Sequence, residues 1–441
     1  MICSTHTEKI FKLWIAIGVT VGCLVATNRV GVARHAIDDS TELVRKLQSQ
    51  KEADRKQALE QLLQDSELAE KLLPELVKRL KDESPKLRVA AVQAIAATGA
   101  EGRKWLPHLI KLFSDTESFE GEVRVWLLTA KIVGHEMGKS IVPDLIPLLD
   151  PAQEHPCRAA CVAIAEIGHD ASDAVDALVR VLKSEKLGVL RETLYALRGI
   201  GPASAKSLPQ VVGLLDHKNM HIQYSACQTL AAMGPLAEPA VGDLIRVMSS
   251  GTVSVKRHAA LALGSIGPKI GEPGIAALIA GLDAFAFVIR EDSLSSLGKL
   301  GKIAHVAGPV IKKKLIERKL EPVGLALTTY WQITGDLEFV KPRFLSRFAD
   351  VNDAIEAVPQ LSKLGPEAAF AVPSLVKATK SGDVVVRFYV AEALGKIGVW
   401  DESVQAAIDQ LIETETDLDV REAAQAVKKQ QQDKPDQNSS K

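Results

Sequence analysis

Aromatic residues make up only 4% of this 441-residue chain, low for a sheet protein and low for a surface that stacks on nucleic-acid bases. Charge of one sign is also missing. Lysine and arginine number 54 against 55 acidic residues, a net charge of −1, which argues against a nucleic-acid partner. Five cysteines do not make a disulfide framework: Cys3 and Cys23 lie near the start, leaving Cys157, Cys161 and Cys227. Cys157 and Cys161 stand four apart, so on a helix they share a face and read as small core residues. His155 beside them adds no zinc-site spacing. The apolar run Leu13–Ala26 is shorter than the ~20 residues a spanning helix needs.

That run follows Lys9 and Lys12 and ends at Thr27-Asn28-Arg29, the layout of a basic region followed by an apolar export core. Residues 1–36 are therefore expected to act as an export signal or membrane anchor, placing the protein in the cell envelope. Thr20-Val21-Gly22-Cys23 resembles a bacterial lipobox with threonine in place of its usual aliphatic residue, making Cys23 a candidate for lipidation.

Alanine and leucine dominate the rest, and one phrase keeps returning. It reads LRVAAVQAIAATG at 87–99, CRAACVAIAEIG at 157–168, LRETLYALRGIG at 190–201 and VRFYVAEALGKIG at 386–398. The closing glycines are Gly99, Gly134, Gly168, Gly201, Gly234, Gly267, Gly301, Gly335, Gly365 and Gly398, spaced 35, 34, 33, 33, 33, 34, 34, 30 and 33 residues apart. A period near 33 sustained this long predicts a solenoid. Four residues before each glycine stands an apolar residue, Leu263 among them, and eight before it usually a small one. That is one face of a helix, which the glycine then ends. Shorter segments such as WLPHLIKLF and SLPQVVGLL follow, with proline in the first helical turn. Each unit is a helix pair that cannot bury its apolar faces alone.

These units resemble the HEAT-repeat superfamily, especially its short bacterial form named after phycobilisome lyases. The marks are an aspartate in the turn and an arginine opening the second helix: Asp82/Arg88, Asp150/Arg158, Asp283/Arg290, Asp383/Arg387 and Asp417/Arg421. The units ending at Gly335 and Gly365 lack the arginine. The resemblance implies an all-α fold, an α-solenoid winding as a right-handed superhelix of about ten to eleven two-helix repeats. It would occupy residues 53–429, after a linker or first helix at 37–52 and before a polar tail at 430–441 expected to be disordered.

The stretch GHEMGKSIVP, residues 134–143, imitates two active sites. It nearly spells a phosphate loop, yet it follows a helix and is one residue short. Aligned with GPASAKSLP at 201–209 it becomes a linker between repeats, with Ser140 expected as a helix cap. His135-Glu136 is expected past the helix end, whereas HEAT-like metalloenzymes set such pairs just after the opening arginine. His258 follows Arg257, but Ala259 stands where a glutamate is needed. No catalytic, cofactor or metal residue is assigned, so the expectation is a non-catalytic scaffold that binds protein partners. The alternative is an enzyme or bilin-lyase-like pigment binder using the groove as a cleft.

Partner contacts are expected on a stripe of variable positions that resembles the concave face of HEAT-like proteins, including Tyr195, Gln228, His258, Lys299 and Tyr389. A second region runs from Lys299 to Pro359. It combines a basic run containing Lys312, Lys313 and Lys314 with aromatics including Trp331 and Phe344, as a partner hot spot would. Pro359 is expected to kink or break its helix. The acidic segment 401–422 is a candidate for steering partners.

Overall fold

The computed structural model describes residues 36–120 and 123–433. The expectations placed on residues 1–35, including lipidation of Cys23, and on the tail 434–441 lie outside the described residues. The chain divides into two compact units, Met1–Ile200 and Gly201–Lys441.

The longer helices of the first unit are α1 (Glu52–Gln64), α2 (Pro85–Ala96), α3 (Val125–Met137), α4 (Glu154–Ile167) and α5 (Leu187–Ile200). Each packs on the next, and a shorter helix precedes each, from Ala36–Leu47 before α1 to Val175–Val181 before α5. A two-residue hairpin interrupts the helices before α3, pairing Ser118 with Arg124 and Phe119 with Val123. In the second unit the longer helices are α6 (Met220–Met233), α7 (Val253–Ile266), α8 (Phe287–Leu300), α9 (Val323–Thr334), α10 (Val351–Leu361), α11 (Val384–Ile397) and α12 (Leu418–Gln432). They stack in sequence order in the same way, each behind a shorter helix. The helix α12 runs to Gln432. Among the described residues no helix is long and apolar enough to cross a membrane.

Helix spacing decides the core. The residues four before the closing glycines, such as Ile95, Ile164, Leu230, Leu263 and Leu394, are buried. Trp331 is the exception and lies half-buried. In α9 the register slips by one, so that Tyr330 and Ile333 fill the interior instead.

Nine of the ten closing glycines carry positive φ; Gly134 does not. Helix α3 runs through it to Met137, and Gly138, at φ 55°, ends the helix. Gly134 is glycine for another reason. A Cβ there would lie 2.5 Å from the carbonyl oxygen of Ala163 on α4, so only a bare backbone lets the helices approach this closely. The expected boundary is therefore wrong by four residues, and His135-Glu136 occupies the last turn of α3, exposed, instead of lying past its end. Ser140 is not a cap either. Its hydroxyl donates to the Met137 carbonyl at 2.8 Å, satisfying the previous helix's end, just as Ser204 does toward Gly201.

The helix-opening arginines tie neighbouring repeats together. Arg55 donates to Asp82 at 2.7 Å, Arg88 to Asp115 at 2.7 Å, and Arg387 to Glu415 at 2.7 Å. The same guanidinium groups reach back to carbonyls of their own turns, Arg88 to Asp82 and Arg387 to Ser381, each at 2.8 Å. Each arginine therefore serves two turns, its own and the next. Where α9 lacks the arginine, Glu356 of α10 compensates. Its carboxylate accepts from the amides of Gly324 and Leu325, at 2.9 and 3.2 Å, and so caps α9 from the next unit. Pro359 does not break α10, which continues past it to Leu361 and then tightens into a 3-10 turn.

Candidate protein-binding surface

In the first unit, the predicted stripe takes shape on α3, α4 and α5. The Tyr195 hydroxyl donates to Glu166 at 3.0 Å, Lys131 stands 3.7 Å from the same carboxylate, and the Arg198 guanidinium lies 5.0 Å from the Tyr195 ring centre. Burial, together with the negative charge of Glu166, pushes the Tyr195 phenol up to about 12, so it remains a donor at neutral pH.

The second unit carries a similar ridge on α6 and α7. Tyr224 stacks on His258 with ring centres 5.1 Å apart, and Gln228 Nε2 lies 2.9 Å from His258 Nε2. His258 Nδ1 is 2.7 Å from the Ser254 carbonyl, which can only accept. Since that carbonyl only accepts, the imidazole carries a proton on Nδ1. Lys299 is exposed on α8, and Tyr389 lies half-buried against Phe388 on α11. The structure brings Gln228 and His258 together; it leaves Lys299 and Tyr389 as separate surface features.

The basic and aromatic region departs most from expectation. Phe344 is fully buried and cannot meet a partner; it is a core residue. Lys312 is bound into the fold: its ammonium pairs with Asp336 at 3.2 Å and lies 4.7 Å from the centre of the Phe339 ring. Arg343 covers the same ring at 3.6 Å. Tyr330 donates to Asp336 at 2.9 Å, and that bond, with the Lys312 pair, lowers the Asp336 carboxyl below its usual value. Lys314 pairs with Asp283, and only Lys313 of the three projects mostly into solvent. Within the second unit the segment is a buttress between successive repeats, with lysines as struts. Lys313→Glu is accordingly expected to leave thermal stability unchanged, whereas Lys312→Glu should lower the melting temperature by facing Asp336 with like charge. Equal melting curves for the two variants would refute the buttress.

The acidic segment is also partly structural. Asp401 caps its helix by accepting from the amides of Ser403 and Val404, Asp417 accepts from Val420, and Glu415 holds Arg387. Cys157, Cys161 and Cys227 are buried, and burial raises the Cys227 thiol to about 12. Among the described residues no cluster of three or more His, Cys, Asp or Glu side chains could hold a metal ion.

Reading the sequence for partners missed one regular feature. Leu187, Met220, Val253, Phe287, Val351 and Val384 each stand fourteen positions ahead of a closing glycine (187 against 201, 220 against 234) and open a longer helix. All are large, apolar and exposed, and Phe285 beside Phe287 is wholly so. In the second unit they recur at the starts of α6, α7, α8, α10 and α11, with a gap at α9, where Glu321 holds the position, and Leu418 opens α12. The same alignment on glycines that located the core contains this signal. In a linear sequence an apolar residue at a regular offset looks the same whether it faces the core or the solvent.

This architecture defines an all-α HEAT-repeat solenoid. The profile of HEAT repeats matches residues 344–428, and that of a single HEAT repeat matches residues 72–98. In fold the chain is similar to importin beta, with a TM-score of 0.62 at 15% identity over 89% of this chain and 62% of that one. It is also similar to yeast importin-beta Kap95p, with a TM-score of 0.54 at 14% identity over 97% of this chain and 64% of that one. A Kap95:Nup1 complex gives 0.50 at 14% identity, over 89% and 60%. The chain thus spans less than two thirds of these importin-beta structures. No curated protein matches it in sequence.

Proposed function

We propose that this chain is a non-catalytic scaffold for protein partners, exported or held at a membrane of the cell envelope by its first 36 residues. The observation that carries the reading is the exposed apolar row at the helix starts. Exposed apolar residues scattered singly are normal, but residues repeated at one place in successive helices, as on α6, α7 and α8, offer a partner several anchors in register. A similar fold engages a protein partner in the Kap95:Nup1 complex. The finer likeness, to the short bacterial type of repeat, is the assignment we adopt for the arginine-opened helices. Placement in the envelope rests on Lys9, Lys12 and the Leu13–Ala26 run.

Three measurements test this. The full chain used as bait on native membranes, followed by hydrogen exchange of the complex, should protect amides near Met220, Val253 and Phe287. Protection confined to the outer short helices would refute the row as the docking edge. Removing residues 1–36 should release the protein into the soluble fraction with its helical signal intact. If the truncated chain still sediments with membranes, the anchoring role of the leader is wrong. Loss of palmitate labelling in Cys23→Ser would identify the anchor as a lipid.

A further inference from the structure

A cleft of about 430 Å³ opens between the turn entering α10 and the turn entering α11. Phe348, Val351, Ala354, Ala378 and Val386 give it an apolar lining, and Lys377 and Lys380 stand at its rim. Its origin lies in the repeat itself. In α1, α2 and α11 the residue four past the helix cap is an arginine (55 against 51, 88 against 84, 387 against 383), and its guanidinium fills the gap to an acid of the next turn. In α10 the same position, four past the cap Asp350, is Ala354. The acid stands six ahead of the next arginine, as Asp82 does before Arg88 and Glu415 before Arg421; before Arg387 that place belongs to Ser381. Both halves of the ion pair are missing together, and Ala354 and Ser381 both line the space left open.

The rim selects what could enter. Lys377 and Lys380 are exposed and have no ion-pair partner among the described residues, while the Asp350 carboxylate already accepts from the amides of Asn352 and Asp353. The apolar row passes the cleft at Val351, with Val384 and Val385 exposed at the start of α11. From this we infer that the cleft between α10 and α11 is a docking site for an extended acidic segment of a partner protein. An aliphatic or aromatic side chain would seat against Phe348 and Ala354, with flanking carboxylates on Lys377 and Lys380. The inference rests on the scaffold reading above and narrows it to one place and one chemistry.

The test uses the full chain and a fluorescein-labelled peptide alternating glutamate with leucine and phenylalanine. Two control peptides carry lysine for glutamate, or alanine for the apolar residues. Saturable binding of the first peptide alone is expected. It should weaken about tenfold or more in K377E/K380E, a loss of about 1.4 kcal/mol. Ala354→Arg combined with Ser381→Glu should rebuild the missing pair, fill the cleft and abolish binding, while melting at or above the wild-type temperature. Equal binding of the lysine peptide, or unchanged binding in both variants, would overturn the inference. So would capture of phosphatidylserine vesicles through the same lysines with no peptide binding, which would make the rim a lipid contact. A partner footprint elsewhere on the apolar row, with no peptide bound, would sink the cleft and leave the scaffold standing.

Discussion

Leu263→Ala is expected to lower stability by ~2–5 kcal/mol, the cost of an unrelaxed cavity in a packed helix array. Leu263 is fully buried on α7, and its surroundings have little room to collapse. Next to it, a Cβ added at Gly264 would come within 2.5 Å of the Ser296 hydroxyl on α8, and that hydroxyl donates to the Ala260 carbonyl at 2.8 Å. The helices are thus held at a fixed short distance by small residues and a buried hydrogen bond, so the void should persist. Each unit of a solenoid touches only its neighbours, so protection from hydrogen exchange should fall mainly in α6, α7 and α8. An even loss of protection from α6 to α12 would contradict nearest-neighbour stability.

The same logic explains what the sequence made legible. Packing repeats, so aligning the closing glycines exposed the core: Ile95, Leu197, Leu263 and Leu394 all lie where the period places them. Errors arose wherever one residue type serves two physical needs. The period makes Gly134 a helix end, although it answers a close approach by Ala163 and Gly138 supplies the turn. Ser140 stands where a cap for the helix ahead would, but a hydroxyl can also donate backward, and here it satisfies Met137. Phe344 and Lys312 looked like a hot spot because aromatics and cations attract partners. They also brace a joint between irregular units, and the contacts of Lys312 with Asp336 and Phe339 are of that kind. Linear spacing does not separate these uses: the partners of Gly134 and Lys312 sit on other repeats, and a serine between two helices is within reach of both. The cleft was invisible for a related reason: it is made by two absences, Ala354 and Ser381, which matter only once their arginine and acid counterparts are seen to meet in space.

Arg387→Ala should cost about 3 kcal/mol, near the low end for breaking a buried ion pair, because it leaves the Glu415 carboxylate without its main partner. Glu415 is 8% exposed and accepts from Arg387 Nε and Nη2 at 2.7 and 3.0 Å. The backbone amides of Thr416 and Asp417 also donate to it, at 3.0 and 3.1 Å, and these keep the loss from being larger. The Arg387 bonds, with those amides, hold the Glu415 carboxyl at about 2, well below the 4.5 of an unperturbed glutamate. A folded-state value depressed in this way makes the charged form part of the native state. Its contribution is therefore complete above the ordinary glutamate range and is lost as pH falls from about 4.5 toward 2. Glu415→Gln should destabilise the protein at pH 7, and its disadvantage against the wild type should shrink progressively as pH falls through that window. Chemical denaturation of both proteins at pH 7, 5, 4 and 3 would measure this. A difference that stays constant with pH would mean that the carboxylate's charge contributes nothing, and that Arg387 holds its turn through the Ser381 carbonyl alone.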